Sequence, residues 1–175
     1  MSGRDPGAFA EFATSKHGAL YRYAYLLAGE QGLAEDLVQE ALTKTYVAWG
    51  RLRDPANAEA YTRKAITSIA ISWWRRKAWR AERPRDDVPD RPLEARADEV
   101  TARIWLWQEL RRLPPRQRAA LVLRYYEDLT IVQTAEILGC SEGTVKSQVS
   151  DALVKLRARL GGDVVLIMEK AGMAE

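Results

Sequence analysis

The chain of 175 residues has one cysteine, Cys140, and one histidine, His17. A disulfide framework needs cysteine pairs, and zinc sites draw on several Cys and His ligands, so neither can be built within the chain. No apolar run approaches the ~20 residues that a membrane-spanning helix requires. The opening MSGRDPGAFAEF lacks the basic start and apolar stretch of a secretory leader. The simplest expectation is a cytoplasmic protein without membrane insertion. Alternating apolar–polar runs linked by Gly-bearing two-residue turns are missing too, which argues against β-structure. So are internal repeats, low-complexity tracts and a GxxxxGKS/T phosphate loop. No metal constellation or nucleophile–base pair stands out, so no cofactor and no catalytic site are expected.

What is present is a foldable composition, 47% apolar and 29% charged, with room for one ordinary domain or two small ones. The net charge of +3 hides a steep pattern. Residues 1–62 sum to −2, whereas residues 63–85 carry eight Lys/Arg against one Glu, or +7. Residues 86–100 fall to −4, residues 101–160 return to +4, and the tail 161–175 is −2. A short basic block that also holds Trp73, Trp74 and Trp79 reads as a contact for a polyanion, and nucleic acid is the usual one. A solvated helix face would explain the charge but not the rings, which single-strand binders use as stacking platforms.

The acidic stretch 86–100, DDVPDRPLEARADEV, has two prolines and reads as a flexible linker. It separates an N-terminal unit, residues 1–85, from a C-terminal unit, residues 101–160, which is followed by the tail 161–175. Both units read as helical, so the expected fold is all-α, with two small helical domains. Residues 8–28 place Phe9, Phe12, Ala13, Leu20, Tyr23, Ala24 and Leu27 at spacings of three and four. Residues 33–49 repeat the pattern with Leu33, Leu37, Val38, Ala41, Leu42, Thr45, Tyr46 and Trp49. The opposite face shows Glu35, Asp36, Gln39, Glu40 and Lys44. Asp54 can cap a third helix, with Pro55 suited to its first turn. Its apolar stripe reads as Tyr61, Ala65, Ile69 and Trp73, with Ile66, Ala70 and Trp74 beside it. In the second unit Ile104, Trp107 and Leu110 mark a helix ended by Leu113-Pro114-Pro115, and Ala119, Val122, Leu123 and Tyr126 mark another.

The segment Asp128–Leu160, DLTIVQTAEILGCSEGTVKSQVSDALVKLRARL, is the most informative. Thr130 and Gln133 make a capping box ahead of Ile131, Ala135 and Leu138. Gly139 supplies a left-handed stop, and Ser141 caps the next helix. There Val145, Val149, Ala152, Leu153, Leu156 and Leu160 can pack inward, while Lys146, Ser147, Ser150 and Asp151 fall on the outer face. This pattern is a helix-turn-helix, which offers its second helix to the DNA major groove. An αα-hairpin that binds nothing has similar spacing, but the small Ala135 at the helix crossing and the GTVKS start of the second helix favour DNA.

These residues resemble a known family. Leu113–Leu160 closely resembles region 4 of the sigma-70 family of bacterial transcription initiation factors, in the extracytoplasmic-function (ECF) branch, which carries only regions 2 and 4. AEDLVQEALTKTYVAWGRL, Ala34–Leu52, resembles region 2.2, and AYTRKAITSIAISWWRRKAWRAER, Ala60–Arg83, resembles regions 2.3 and 2.4. The likeness spans most of residues 8–160 in the family's order. It implies a sigma factor with two partners, core RNA polymerase and promoter DNA. Region 2 would grip the β′ clamp helices through Asp36, Leu37, Gln39 and Glu40, and would recognise and open the −10 element through Trp74, Arg75, Arg76, Lys77, Trp79, Arg80 and Arg83. Region 4 would dock on the β flap and read the −35 element through Lys146, Ser147, Ser150 and Asp151. Thr144, Arg116, Arg118 and Arg124 would position phosphates. An anti-sigma factor covering the polymerase-binding surfaces is a further partner the resemblance implies.

Three positions depart from the family pattern. Leu42 stands where Phe is usual, Ser68 where Asn is common, and Asp151 where Arg is common. An acid beside phosphates repels them, so Asp151 either accepts from a base or marks a different −35 preference. Trp73, on the core stripe, reads as packing. His17 reads as exposed and silent, Cys140 as a small buried filler in the turn, and the apolar run Val164–Met168 as a short helix or a segment folded back on the second unit. Two other functions fit parts of the chain. An autonomous helix-turn-helix regulator would leave the 63–85 block unexplained and usually dimerises; an enzyme acting on nucleic acid would need a catalytic constellation. If about half of the eight cations in residues 63–85 meet phosphates, log affinity for promoter DNA falls with log salt at a slope of roughly −3 to −4. A KCl titration of promoter binding measures that slope, and a flat response excludes the reading.

Overall fold

A computed structural model describes residues 5–52, 54–78 and 99–162, together with Val164, Leu166 and Met168. Among the described residues every regular element is helical. Contacts divide the chain into two units, Met1–Arg75 and Arg76–Glu175. The composition placed the first boundary later, at residue 85. Residues 86–98 of the expected linker lie outside the described residues, and Glu99 and Val100, assigned to it, instead open a helix.

In the first unit, α1 (Pro6–Ala28) starts where Asp5 Oδ1 accepts from the amides of Gly7, at 2.9 Å, and Ala8, at 3.3 Å. It stops at Gly29, whose φ of 75° is left-handed and whose N–H donates to the Tyr25 carbonyl. α2 (Gln31–Ala48) runs into a 3₁₀ turn, Trp49–Arg51. α3 (Pro55–Ala78) begins as the sequence suggests, with Asp54 Oδ1 accepting from Ala56 N–H at 3.0 Å and Pro55 in the first turn. Leu20, Ala24 and Leu27 of α1, Leu37, Val38 and Ala41 of α2, and Ala58, Ile66 and Ala70 of α3 are all sealed from solvent. Phe9, Phe12, Tyr46 and Trp49 close the α1–α2 contact with edge and tilted ring pairs 4.9–6.3 Å apart.

The stripe that α3 buries is displaced from the expected one. Tyr61 is 38% exposed, and Thr62 and Thr67 take buried places beside Ile66, Ile69 and Ala70. The threonines are admitted because their hydroxyls are satisfied inside. Thr67 donates to the Arg63 carbonyl at 3.0 Å, so the hydroxyl of Tyr23, 2.5 Å away, is the donor to Thr67. Thr45 and Thr62 sit 2.8 Å apart, and each also approaches its own i−4 carbonyl, Ala41 or Ala58. Two protons thus face three acceptor contacts, and the shared one joins α2 to α3. Lys16 of α1 pairs with Glu59 of α3 at 2.8 Å, and Arg63 reaches the same carboxylate at 3.3 Å. Lys16, against the desolvation and with help from Arg63, holds the Glu59 carboxyl below its ordinary range.

The second unit contains α4 (Glu99–Arg112), α5 (Pro115–Tyr125), α6 (Ile131–Leu138) and α7 (Glu142–Leu160). Residues 118–123 of α5 are buried without interruption. α4, α6 and α7 supply Leu106, Leu110, Leu138, Val145, Ala152 and Leu156 to the core, and α7 packs against each of the other three helices. The tail is helical at Val164, Leu166 and Met168, with Val164 and Met168 fully buried. After α5, the Glu127 N–H donates to the Val122 carbonyl and the Leu129 N–H to the Leu123 carbonyl, each at 3.1 Å. Asp128 between them has φ 51°, at a place glycine usually fills. The Arg124 guanidinium donates to the Leu129 carbonyl and pins the loop. Asp tolerates this conformation and a β-branched residue does not, so Asp128→Val should cost about 1 kcal/mol of stability. Urea unfolding of the two proteins measures the difference.

Candidate nucleic-acid interface

The α6–α7 pair is capped at every end facing its turn. Thr130 N–H donates to Gln133 Oε1 at 2.8 Å, and Gln133 N–H to Thr130 Oγ1 at 3.2 Å, the reciprocal box expected. Gly139 takes φ 64° and donates to the Ala135 carbonyl. Ser141 Oγ accepts from Thr144 N–H at 3.1 Å and lies 2.9 Å from the Thr144 hydroxyl. Thr144 is therefore half-buried and engaged in the cap. Cys140 is half-buried, not enclosed, because the turn leaves its side chain at the surface. On α7, Val145, Ala152 and Leu156 are sealed from solvent, while Lys146, Ser147, Ser150 and Asp151 are all exposed on the other side. The four residues expected to read bases thus share one open face of one helix.

The three arginines separate. Arg116, in the first turn of α5, is exposed. Arg118 is only 5% exposed, and its Nη1 donates to the carbonyls of Arg111, at 3.2 Å, and Leu113, at 3.3 Å. It caps the C-terminal end of α4 from inside, which corrects its expected place among phosphate contacts. Burial, reinforced by the charge of Arg111, pushes its guanidinium down to about 10. Arg124 is half-buried and tied to Leu129.

In the first unit, Asp36, Gln39 and Glu40 stand exposed on α2, but Leu37 between them is 0% exposed. Leu37 belongs to the core and presents no surface, a second correction. At the basic end of α3, Arg75 and Arg76 are exposed and Trp73 and Trp74 are half-buried. At about 100° per residue, Trp73 continues the buried stripe and Trp74 lies on its flank. Lys77 is the penultimate residue of α3. Trp79, Arg80 and Arg83 lie outside the described residues. Tyr61, Lys64, Ser68 and Arg75, all exposed, follow one another at spacings of three, four and seven on the outer side of α3. The apolar periodicity had drawn Tyr61 inward, and its exposure places it on this outer side instead.

Comparison with known proteins gives the arrangement its family. Residues 12–80 match the family model for Sigma-70 region 2, and residues 103–156 match that for Sigma-70, region 4. The RNA polymerase sigma-E factor of Streptomyces coelicolor is 36% identical over 152 residues, 87% of this chain and 85% of that protein. The chain belongs to the sigma-70 family. The ECF RNA polymerase sigma factor SigM of Mycobacterium tuberculosis is 31% identical over 157 residues, 90% of this chain and 79% of its own length. The sigma factor RpoE of Bartonella quintana, crystallised with the anti-sigma factor NepR, superposes with a TM-score of 0.61 at 25% identity, covering 89% of this chain and 98% of that one. This is therefore an ECF-type sigma factor, a subunit that directs RNA polymerase to promoters, and its partners are core polymerase and promoter DNA. Among the described residues, no helix is long and apolar enough to cross a membrane.

The burial differences divide neighbouring residues by consequence. Leu37→Ala removes a fully enclosed side chain and should cost about 3 kcal/mol, whereas Asp36→Arg should leave the unfolding midpoint unchanged and weaken assembly with core polymerase. Arg118→Ala strands two carbonyls and should cost roughly 2 kcal/mol, whereas Arg116→Ala should spare stability and lower the salt slope of DNA binding by about one. Denaturation midpoints, core pull-down and salt titrations check the four variants.

Proposed function

We propose that the exposed face of α7 reads the −35 element as duplex DNA and that the basic end of α3 captures the opened −10 element. Lys146 donates to guanine acceptors, Ser147 and Ser150 adapt to either partner, and Asp151 accepts from cytosine N4. Arg116 positions a phosphate, and the Thr144 hydroxyl is a second candidate for one. The Arg124 side chain is committed to its own loop and is the weakest of these contacts. Tyr61, Lys64, Ser68 and Arg75 extend the α3 surface, and Trp74 offers a ring to a displaced base. Arg76, Lys77, Trp79, Arg80 and Arg83 complete this region in the sequence. Asp36, Gln39 and Glu40 face the β′ clamp helices, and the second unit docks on the β flap. The subunit carries no chemistry of its own, so binding energy opens the DNA. It acts in the cytoplasm and is held in check by an anti-sigma factor, a reading supported by the Bartonella neighbour, which was crystallised with one.

The observation that carries this reading is the α7 face itself: four exposed polar side chains opposite a fully buried seam, on a helix whose start is fixed by Ser141. Runoff transcription from a genomic fragment library, with core polymerase plus this protein, should yield start sites that share two upstream elements. Lys146→Ala should relax selection at one −35 position, at a cost of roughly 1–3 kcal/mol there, without changing the −10 sequence. Absence of initiation at any start site, or a −35 preference untouched by substitutions across the α7 face, would sink it.

A further inference from the structure

Glu109, in the last turn of α4, is 6% exposed, and both of its carboxylate oxygens are engaged. Oε1 lies 3.1 Å from Nη1 of Arg112 on the same helix. Oε2 lies 3.4 Å from Nη1 of Arg159, fifty residues away in the last turn of α7. The C-terminal turns of α4 and α7 therefore converge on one buried carboxylate.

This is a poor place for a carboxylate if stability were its purpose. Helix C-termini carry partial negative charge, which attracts Arg112 and Arg159 without help and repels Glu109. The Glu109 carboxylate also loses hydration, while Arg159 is 39% exposed, so the Coulomb attraction between them is screened and offsets little of that loss. What the pair does provide is direction. On a helical wheel Arg159 lies about 150° from the middle of the Lys146, Ser147, Ser150 and Asp151 face. A contact at the back of α7 bears on the orientation of the front, because a helix turns as one body. The apolar seam of Val145, Ala152 and Leu156 locates α7 but is non-directional, and leaves small rotations cheap.

We infer that Glu109 is a positioning residue for promoter recognition, a latch that sets the rotation of α7 through Arg159. It touches no DNA. The inference rests on the proposed reading of α7 as the −35 reader.

The test is a double-mutant cycle in the full chain with Glu109→Gln, Arg159→Met and the two combined. Holoenzyme transcription is measured from a selected promoter and from the same promoter with its −35 element scrambled. The latch lowers the ratio of the two three- to tenfold in each single variant, and the double variant is no worse than either. Activity on the scrambled template stays unchanged. Arg159→Lys restores part of the ratio, since it keeps the charge without the guanidinium fork. In the free chain, amide exchange across Leu156–Leu160 rises in both single variants, whatever the promoter result. Losses that add, an unchanged ratio, or unaltered exchange overturn the latch. A variant that fails to fold makes Glu109 a stability element and overturns it as well. A wild-type holoenzyme indifferent to the −35 element, with exchange still raised, counts against the α7 reading instead and leaves the latch as a fold contact without a role in recognition, which also ends the inference.

Discussion

Ser141 Oγ accepts the amide proton of Thr144 just after Gly139 has carried the chain into the left-handed region, and these two local events fix where α7 begins. A helix that is core on one side and, as proposed, reader on the other has no tolerance in its register: shifting its start by one residue rotates every side chain by about 100°. Val145 would leave the seam and Lys146 would enter it. The Thr130–Gln133 box does the same for α6, so the two helices meet with both starts determined by side-chain hydrogen bonds. The rest of the second unit, including the largely buried α5, packs against this pair.

The first unit reaches rigidity by another route. Its core is apolar at the centre, yet α3 contributes Thr62 and Thr67 to it, and these meet Thr45 and Tyr23 from the other two helices. Dispersion contacts alone permit sliding, whereas a buried hydroxyl out of register would lose its partner at a cost of about 1–3 kcal/mol. The polar contacts are few, but they specify which turn of α3 lies against which turn of α1 and α2. That alignment decides which residues of α3 remain outside: Tyr61, Lys64, Ser68 and Arg75.

Much of this was legible in the sequence because it is written locally. Helix starts at Asp54, Thr130 and Ser141, the stop at Gly139 and the outer face of α7 each depend on residues within a turn or two of one another. The misreadings come from side chains whose type and surroundings disagree. Arg118 looks like a surface cation, but it is buried, donating to the carbonyls of Arg111 and Leu113 at and just beyond the end of α4. Leu37 lies on the apolar stripe by its spacing, and only the resemblance placed it at a surface. Tyr61 looks like core because threonine hydroxyls, the true occupants of that stripe, are scored as polar. Glu109 shows only its i,i+3 pair with Arg112 locally, and its partner on α7 is fifty residues away.

The unbroken course of α3 has a mechanical consequence. Pro55–Ala78 is one helix of 24 residues, about 36 Å long, clamped over its first four turns by the bundle and ending in exposed arginines. A rod held that firmly does not bend when its tip is pulled. Load applied at Arg75 is carried along the helix into the bundle, and of two bodies in contact the more compliant one yields. If the end of α3 grips promoter DNA as proposed, double-stranded DNA, soft at its pyrimidine–purine steps, is that body, and the work of distortion falls on the nucleic acid.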